Sequence, residues 1–259
     1  MSPTREPFRS TGLLPVLIAF WYLSNMTAKD FIETLSLFQS DKELDKVDRY
    51  YKGSDKAMKA LGVRFADVFS TAKEFTAMPL TAVSQLMKSK YYEVRMGALS
   101  ILDFQARNKK LSDAGRKALF DFYIDHHDRI DNWDFVDRAA PHVIGEYLVD
   151  KKRDILYKLA KARDPWRRRT AMVSTHAFIK RGDVDDTFRI AELLVKDKDE
   201  FVNKAVGSWV REAGKRAPKR LTAFLDEYAA HMPAVTLRYA IEKLDAARKK
   251  HYLAMRRAG

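Results

Sequence analysis

Cysteine is absent from this 259-residue chain, which removes disulfides, thiolate nucleophiles and cysteine-ligated zinc and suits a reducing compartment. Glycine and proline are sparse, at 10 and 8 residues, so the composition is neither collagenous nor that of a Pro/Gly-rich disordered chain. No stretch sustains the period-two alternation of a half-buried strand. Familiar catalytic signatures are missing too: there is no H-E-x-x-H, no G-x-x-x-x-G-K-[ST], no strand-linked G-x-G-x-x-G and no G-x-S-x-G. Adjacent His126 and His127 point about 100° apart on a helix and read as capping or solvated residues rather than paired ligands. No metal or cofactor is therefore expected. The apolar run from Leu13 to Leu23 (LLPVLIAFWYL) has only 11 residues and contains Pro15, too short to span a bilayer as a helix. Arg5 and Arg9 precede it, but no A-x-A cleavage pattern follows.

What the chain has is apolar mass and positive charge. Hydrophobic residues make up 46% and aromatics 12%, enough to bury a large core. The formal net charge is +13, and it is lopsided. From Arg138 onward 28 Lys and Arg stand against 16 Asp and Glu, leaving 20 against 19 before it. A basic half on a neutral half is the electrostatic footprint of a polyanion binder, with nucleic acid the first reading and an anionic membrane or simple solubility the plainer ones.

A helical signature returns five times. An aromatic or branched residue is followed three positions later by Arg or Lys at Tyr92/Arg95, Trp166/Arg169, Phe201/Lys204 and Val235/Arg238, while the copy at Trp133 carries Val136 instead. Successive starts lie 41, 33, 35 and 34 residues apart, the period of solenoids in which each helix hairpin buries its apolar face against its neighbours. The expected fold is an all-α, right-handed solenoid of antiparallel helix pairs, with Arg95, Arg169, Lys204 and Arg238 displayed along one concave basic surface. Residues 1–26 read as an N-terminal extension and 27–259 as a single domain. Periodicity predicts helices over 28–38, 41–49, 54–61, 64–73, 79–88, 91–107, 112–127, 131–148, 152–162, 165–180, 184–196, 199–215, 218–231 and 233–257. Thr27 with Asp30, Ser112 and Asp183 are N-cap candidates, and Gly53, Gly182 and Gly214 fall where helices should stop.

The off-pattern copy is the candidate site. Trp133 and Asp137, four apart, share a helix face, and Asp137 occupies a position held by Met96, Thr170, Ala205 and Tyr239 in the other copies. The bland reading makes Trp133 a core residue and Asp137 the partner of a nearby arginine. The sharper one has the stack bring Arg169 beside them, so that an aromatic face, a carboxylate and a guanidinium converge; tryptophan with a carboxylate suits a cationic ligand, and arginine suits phosphate. Arg163, Arg167, Arg168, Lys215, Arg216, Lys219 and Arg220 supply further positive charge.

Five segments carry a family resemblance: NWDFVD at 132–137, DPWRRRTA at 164–171, FVNKAVGSWVRE at 201–212, and more weakly YYEVRMGALSIL at 91–102 and ALGVR at 60–64. They resemble the AlkD-type DNA alkylation repair glycosylases, built from HEAT-like helical repeats, over roughly Thr27 to Met255. The resemblance implies metal-free hydrolysis of the N-glycosidic bond of N3- or N7-alkylated purines in duplex DNA by a cytoplasmic, nucleoid-associated monomer. It gives Trp133, Asp137 and Arg169 the catalytic roles: Trp133 contacts the lesion nucleotide, Asp137 stabilises the sugar cation and orients water, and Arg169 holds a phosphate. DNA contacts are expected from Arg95, Arg163, Trp166, Arg167, Arg168, Lys204, Ser208, Trp209, Arg211, Lys215, Arg216 and Arg238. One departure stands out: Ser208 falls where the family has a second active-site tryptophan, and Trp209, rotated about 100° along the helix, is expected to turn into the core. That departure keeps open an alternative, a noncatalytic HEAT-like protein binding damaged or branched DNA or an acidic protein partner.

Overall fold

Each copy of the repeat signature opens a helix of one continuous inner row. In the computed structural model, which describes residues 26–258, the helices are α1 (Ala28–Ser36), α2 (Asp41–Tyr50), α3 (Phe65–Glu74), α4 (Leu80–Met87), α5 (Tyr92–Ala106), α6 (Asp113–Asp125), α7 (Trp133–Ala140), α8 (Asp154–Ala160), α9 (Pro165–Ser174), α10 (His176–Ile179), α11 (Asp185–Leu194), α12 (Glu200–Arg216), α13 (Pro218–Tyr228), α14 (Ala234–Ala240) and α15 (Ala246–Ala258). Helices α5, α7, α9, α12 and α14 begin at Tyr92, Trp133, Trp166, Phe201 and Val235, to within one residue. They pack successively against one another, while α4, α8, α11 and α13 back them as hairpin partners. No strand occurs among the described residues. The apolar run at 13–23 and the start of the N-terminal extension lie outside those residues; within them, no helix is long and apolar enough to cross a membrane.

Local chemistry explains most of the boundaries. Thr27 and Asp30 close a reciprocal capping box at α1, with Asp30 N donating to Thr27 Oγ1 at 3.2 Å and Thr27 N to Asp30 Oδ2 at 3.0 Å. Ser112 caps α6 through Gly115 N at 3.1 Å. At α11 the cap position falls one residue later than expected, on Val184. Not every expected element forms as read from the sequence. Segment 54–61 is a loop, held by tertiary contacts that override its helical propensity. The helix expected over 131–148 passes at Pro141 into a π-helical turn, Pro141–Gly145, because proline cannot donate its backbone N–H. The one expected over 233–257 is interrupted between Ala240 and Ala246. Gly214 does not stop α12 but lies inside it, where a Cβ would come within 2.4 Å of Leu221; the glycine permits close approach of α13. The buried apolar residues form one contiguous cluster from Ala28 to Tyr252, so the hairpins share a core rather than folding around separate ones.

Candidate active-site cleft

The inner row converges on a cleft of about 630 Å³ lined by Arg49, Lys52, Trp133, Asp137, Arg169, Glu200, Phe201, Lys204, Ala205, Ser208, Trp209 and Tyr239. Three consecutive inner helices, α7, α9 and α12, supply its centre, which is how residues 32 positions apart come into contact. Asp137, on α7, is 38% exposed at its side chain and receives a two-pronged ion pair from Arg169 on α9: Nε donates to Oδ1 at 3.0 Å and Nη2 to Oδ2 at 2.8 Å. Arg169 Nη1 also donates to the Phe201 carbonyl at the start of α12. Arg169 itself is buried, so the structure gives it the carboxylate rather than an open phosphate site. A carboxylate has about four lone-pair sites; the guanidinium uses two and leaves the solvent-facing ones for a ligand.

Trp133 is half-buried, and its indole Nε1 donates to the Tyr50 carbonyl at 3.2 Å, which fixes the ring plane. Trp209 departs from the sequence expectation. It is half-buried rather than a core residue, lines the cleft together with its neighbour Ser208, and stacks on His176 with ring centroids 4.8 Å apart. A cleft that wraps around α12 accepts both positions, so a 100° rotation does not expel the indole. Burial lowers the His176 pKa from its ordinary value, with Lys180 and His142 adding to the effect, which favours the neutral form of the imidazole that backs the indole. Lys204 lies over the Phe201 ring at 5.2 Å and pairs with Glu200 at 2.5 Å.

Several expected DNA contacts have other partners. Arg95 is fully buried and pairs with Asp131 at 3.2 Å; it is not displayed on any surface, because the chain crossing above it supplies acceptors. Trp166 is buried against Phe201, ring centroids 5.6 Å apart, and packs α9 to α12. Arg168 is taken up by both oxygens of Asp197 and by the carbonyls of Ala162 and Arg163, and Arg211 by Glu212 and Glu242. Arg167 is 3.8 Å from Asp164, and Lys215 pairs with Glu212 at 2.6 Å. Arg163, Arg216 and Arg238 are exposed. Arg49, Lys52, Glu200, Phe201, Ala205 and Tyr239 line the cleft without being among the site residues expected from sequence. Tyr239 carries a signal, being the one aromatic among the residues equivalent to Asp137; Arg49 and Lys52 carry none, because they lie before the first repeat copy.

Behind the cleft sit two buried titrating groups of opposite sense. His127 is buried rather than solvated, sharing a hydrogen bond with Thr170 Oγ1 at 2.9 Å, and burial, reinforced by Arg167, pushes its pKa down to about 4. Asp134 receives hydrogen bonds from Tyr92 and Asn132, yet burial still raises its carboxyl to about 6. As pH falls from 6.5 towards 4, the unfolded chain takes up the His127 proton before the folded one does, so that contribution to stability is lost. Asp134 does the reverse, since the folded state binds its proton first. The two slopes, each about 1.4 kcal/mol per pH unit, nearly cancel between pH 6 and 4. His127→Gln should therefore gain about 3 kcal/mol on wild type over pH 6.5 to 4.0, measured from urea midpoints at both pH values; parallel profiles would contradict this.

No group of three or more acidic or histidine side chains among the described residues could hold a metal ion. Two solved structures share the architecture: a predicted DNA alkylation repair enzyme from Enterococcus faecalis, with a TM-score of 0.61 at 15% identity over 80% of this chain and 97% of that one, and AlkD2 from Streptococcus mutans, with a TM-score of 0.52 at 17% identity over 85% and 98%. At such identities the likeness concerns the fold. No curated protein matches the chain. The family model described as DNA alkylation repair enzyme matches residues 31–244, which spans every inner helix and the whole cleft, and on that match the chain belongs to the DNA alkylation repair enzyme family.

Proposed function

We propose that the protein is a DNA glycosylase that hydrolyses the N-glycosidic bond of N3- and N7-alkylated purines in duplex DNA, acting as a monomer. The observation that carries this reading is the solvent-facing carboxylate of Asp137, clamped by Arg169 in a cleft walled by Trp133, Phe201, Trp209 and Tyr239. An alkylated purine already bears positive charge, so it departs as a neutral base when the C1′–N bond breaks, and no acid is required to protonate it. Positive charge then passes to the sugar. Asp137 stabilises that cation electrostatically and orients water towards C1′, while the aromatic walls attract the cationic base before cleavage. Arg169 acts through Asp137, holding the carboxylate in one orientation. Incubation with duplex DNA carrying 7-methylguanine, scored for abasic sites after mild alkaline treatment, should yield strand breaks at the lesion; intact duplex at enzyme excess would refute the reading.

Trp209 rather than Ser208 provides the second aromatic wall. Trp209→Ala should lower 7-methylguanine excision by about 2- to 30-fold, the equivalent of about 0.5–2 kcal/mol of cation–π attraction, whereas Ser208→Ala should leave the rate near wild type. Single-turnover rates at saturating enzyme decide this, and the opposite ranking would return the aromatic role to the Ser208 position.

A further inference from the structure

The segment between α2 and α3 is fixed to the inner row far more heavily than a surface connection needs. At its start, Asn132 Nδ2 donates to the Tyr50 carbonyl at 3.1 Å and Asn132 Oδ1 accepts from Lys52 N at 2.8 Å. Tyr51 donates its hydroxyl proton to Asp131 Oδ2 at 2.6 Å. A Cβ on Gly53 would fall 2.5 Å from the Asp131 carbonyl, so only glycine lets the loop lie this close. Further along, Lys59 N donates to the Lys90 carbonyl at 2.7 Å and Tyr92 N to the Lys59 carbonyl at 2.8 Å. The buried carboxylate of Glu93 then accepts the backbone N–H groups of Leu61, Gly62 and Val63. Beneath the loop Arg95 donates to the Arg129 carbonyl and pairs with Asp131. Four buried polar side chains of the inner row and its connections, Glu93, Arg95, Asp131 and Asn132, are thus given over to the shape of one loop.

The anchoring determines what the loop presents. Between residues 49 and 59 stand Arg49, Lys52, Lys56 and Lys59 against a single acid, Asp55. Asp55 is turned inward, 3.9 Å from Arg95 and 3.7 Å from Arg129, while all four cations are exposed. Arg49 and Lys52 line the same cleft as Trp133 and Asp137. The inner row's own first cation, Arg95, is buried, and the cleft takes positive charge from Arg49 and Lys52 instead.

Resting on the glycosylase reading, we propose that the last turn of α2 and the loop after it, residues 49–59, form a preorganised clamp for the phosphate backbone of duplex DNA, with Arg49 and Lys52 gripping phosphates that flank the nucleotide held against Trp133. A loop tied by this many hydrogen bonds before it meets DNA loses less conformational entropy on binding than an untethered one. The contact is to backbone, so it confers affinity and register without base preference. Because Trp133 Nε1 donates to the Tyr50 carbonyl at the end of α2, the same segment that holds the duplex also sets the indole against the lesion.

The test is a salt series of dissociation constants for undamaged duplex, run on the full chain, with 7-methylguanine excision measured in parallel. Each phosphate contact contributes about 0.9 to the log–log salt slope. The double variant Arg49→Ala/Lys52→Ala should therefore lose about 1.8 units of slope and bind roughly fifty-fold more weakly at 0.1 M salt. Lys109→Ala/Lys110→Ala, with the same loss of charge at exposed positions outside the cleft, should keep the wild-type slope. If wild type binds and excises but the Arg49/Lys52 variant retains its slope, the clamp is overturned and the glycosylase reading stands. A clamp-dependent slope without excision supports the clamp as a duplex-binding device and removes the glycosylase reading. Failure of wild type to bind duplex at low salt overturns both.

Discussion

Asp137→Asn should reduce 7-methylguanine excision by a hundredfold to a thousandfold, about 3–4 kcal/mol of transition-state stabilisation, while duplex affinity stays close to wild type. Asparagine keeps the size of the side chain and can still accept one hydrogen bond, but it cannot offer a negative charge to the cation forming at the sugar. The geometry adds a second consequence. Both Asp137 oxygens now meet Arg169 N–H groups; in the amide, one of them becomes an NH₂ facing another donor, beside a guanidinium that is only 8% exposed. Some stability should be lost as well. Excision must therefore be measured with the variant shown folded by circular dichroism, at a temperature below its unfolding transition. Wild-type excision by folded Asp137→Asn would make the Asp137–Arg169 pair a structural link between α7 and α9, and the proposed mechanism would fall.

That pair shows what the sequence discloses and what it hides. Trp133, Asp137 and Arg169 can be brought together from spacing alone, because a regular repeat maps equivalent positions onto neighbouring helices. The same logic finds the inner helices, whose signatures mark their first turns. It misleads at Arg95, which follows the pattern of Arg169 but lies beneath a crossing segment. Charged residues are buried only when paired, and the partners, Asp131 and Asp55, belong to segments whose proximity no local pattern reveals. Segment 54–61 reads as helix because Lys, Ala, Met and Leu favour helix, yet propensities of a few tenths of a kcal/mol per residue yield to the hydrogen bonds that its backbone donates at Asp55 to Asp131 and at Leu61 to Glu93. Ser208 and Trp209 raise a different issue. Helical rotation separates their directions correctly, but a single sequence does not give the width of the cleft they face.

The stability cost of the loop's foundation provides the second large effect. Arg95→Met keeps much of the side chain's volume but leaves Asp131 buried with its countercharge gone; Tyr51 and Asp55 N remain as its donors. Removing one partner of a buried pair typically costs about 3–5 kcal/mol, and for a chain of this size that is a fall in melting temperature of about 6–20 °C. The double variant Arg95→Met/Asp131→Asn removes both charges, and the asparagine oxygen can still accept the Tyr51 hydroxyl. It should therefore recover much of the loss, giving a favourable coupling of at least about 1 kcal/mol in a double-mutant cycle. Arg95 also donates to the Arg129 carbonyl and lies over Phe135 at 5.3 Å, contacts that neither variant restores, so recovery should be incomplete. Thermal unfolding of the four proteins tests this directly. Additive losses would mean that Arg95 contributes mainly through Phe135 and the Arg129 carbonyl, and that the loop is held by Asn132 and Glu93 without an essential charge pair beneath it.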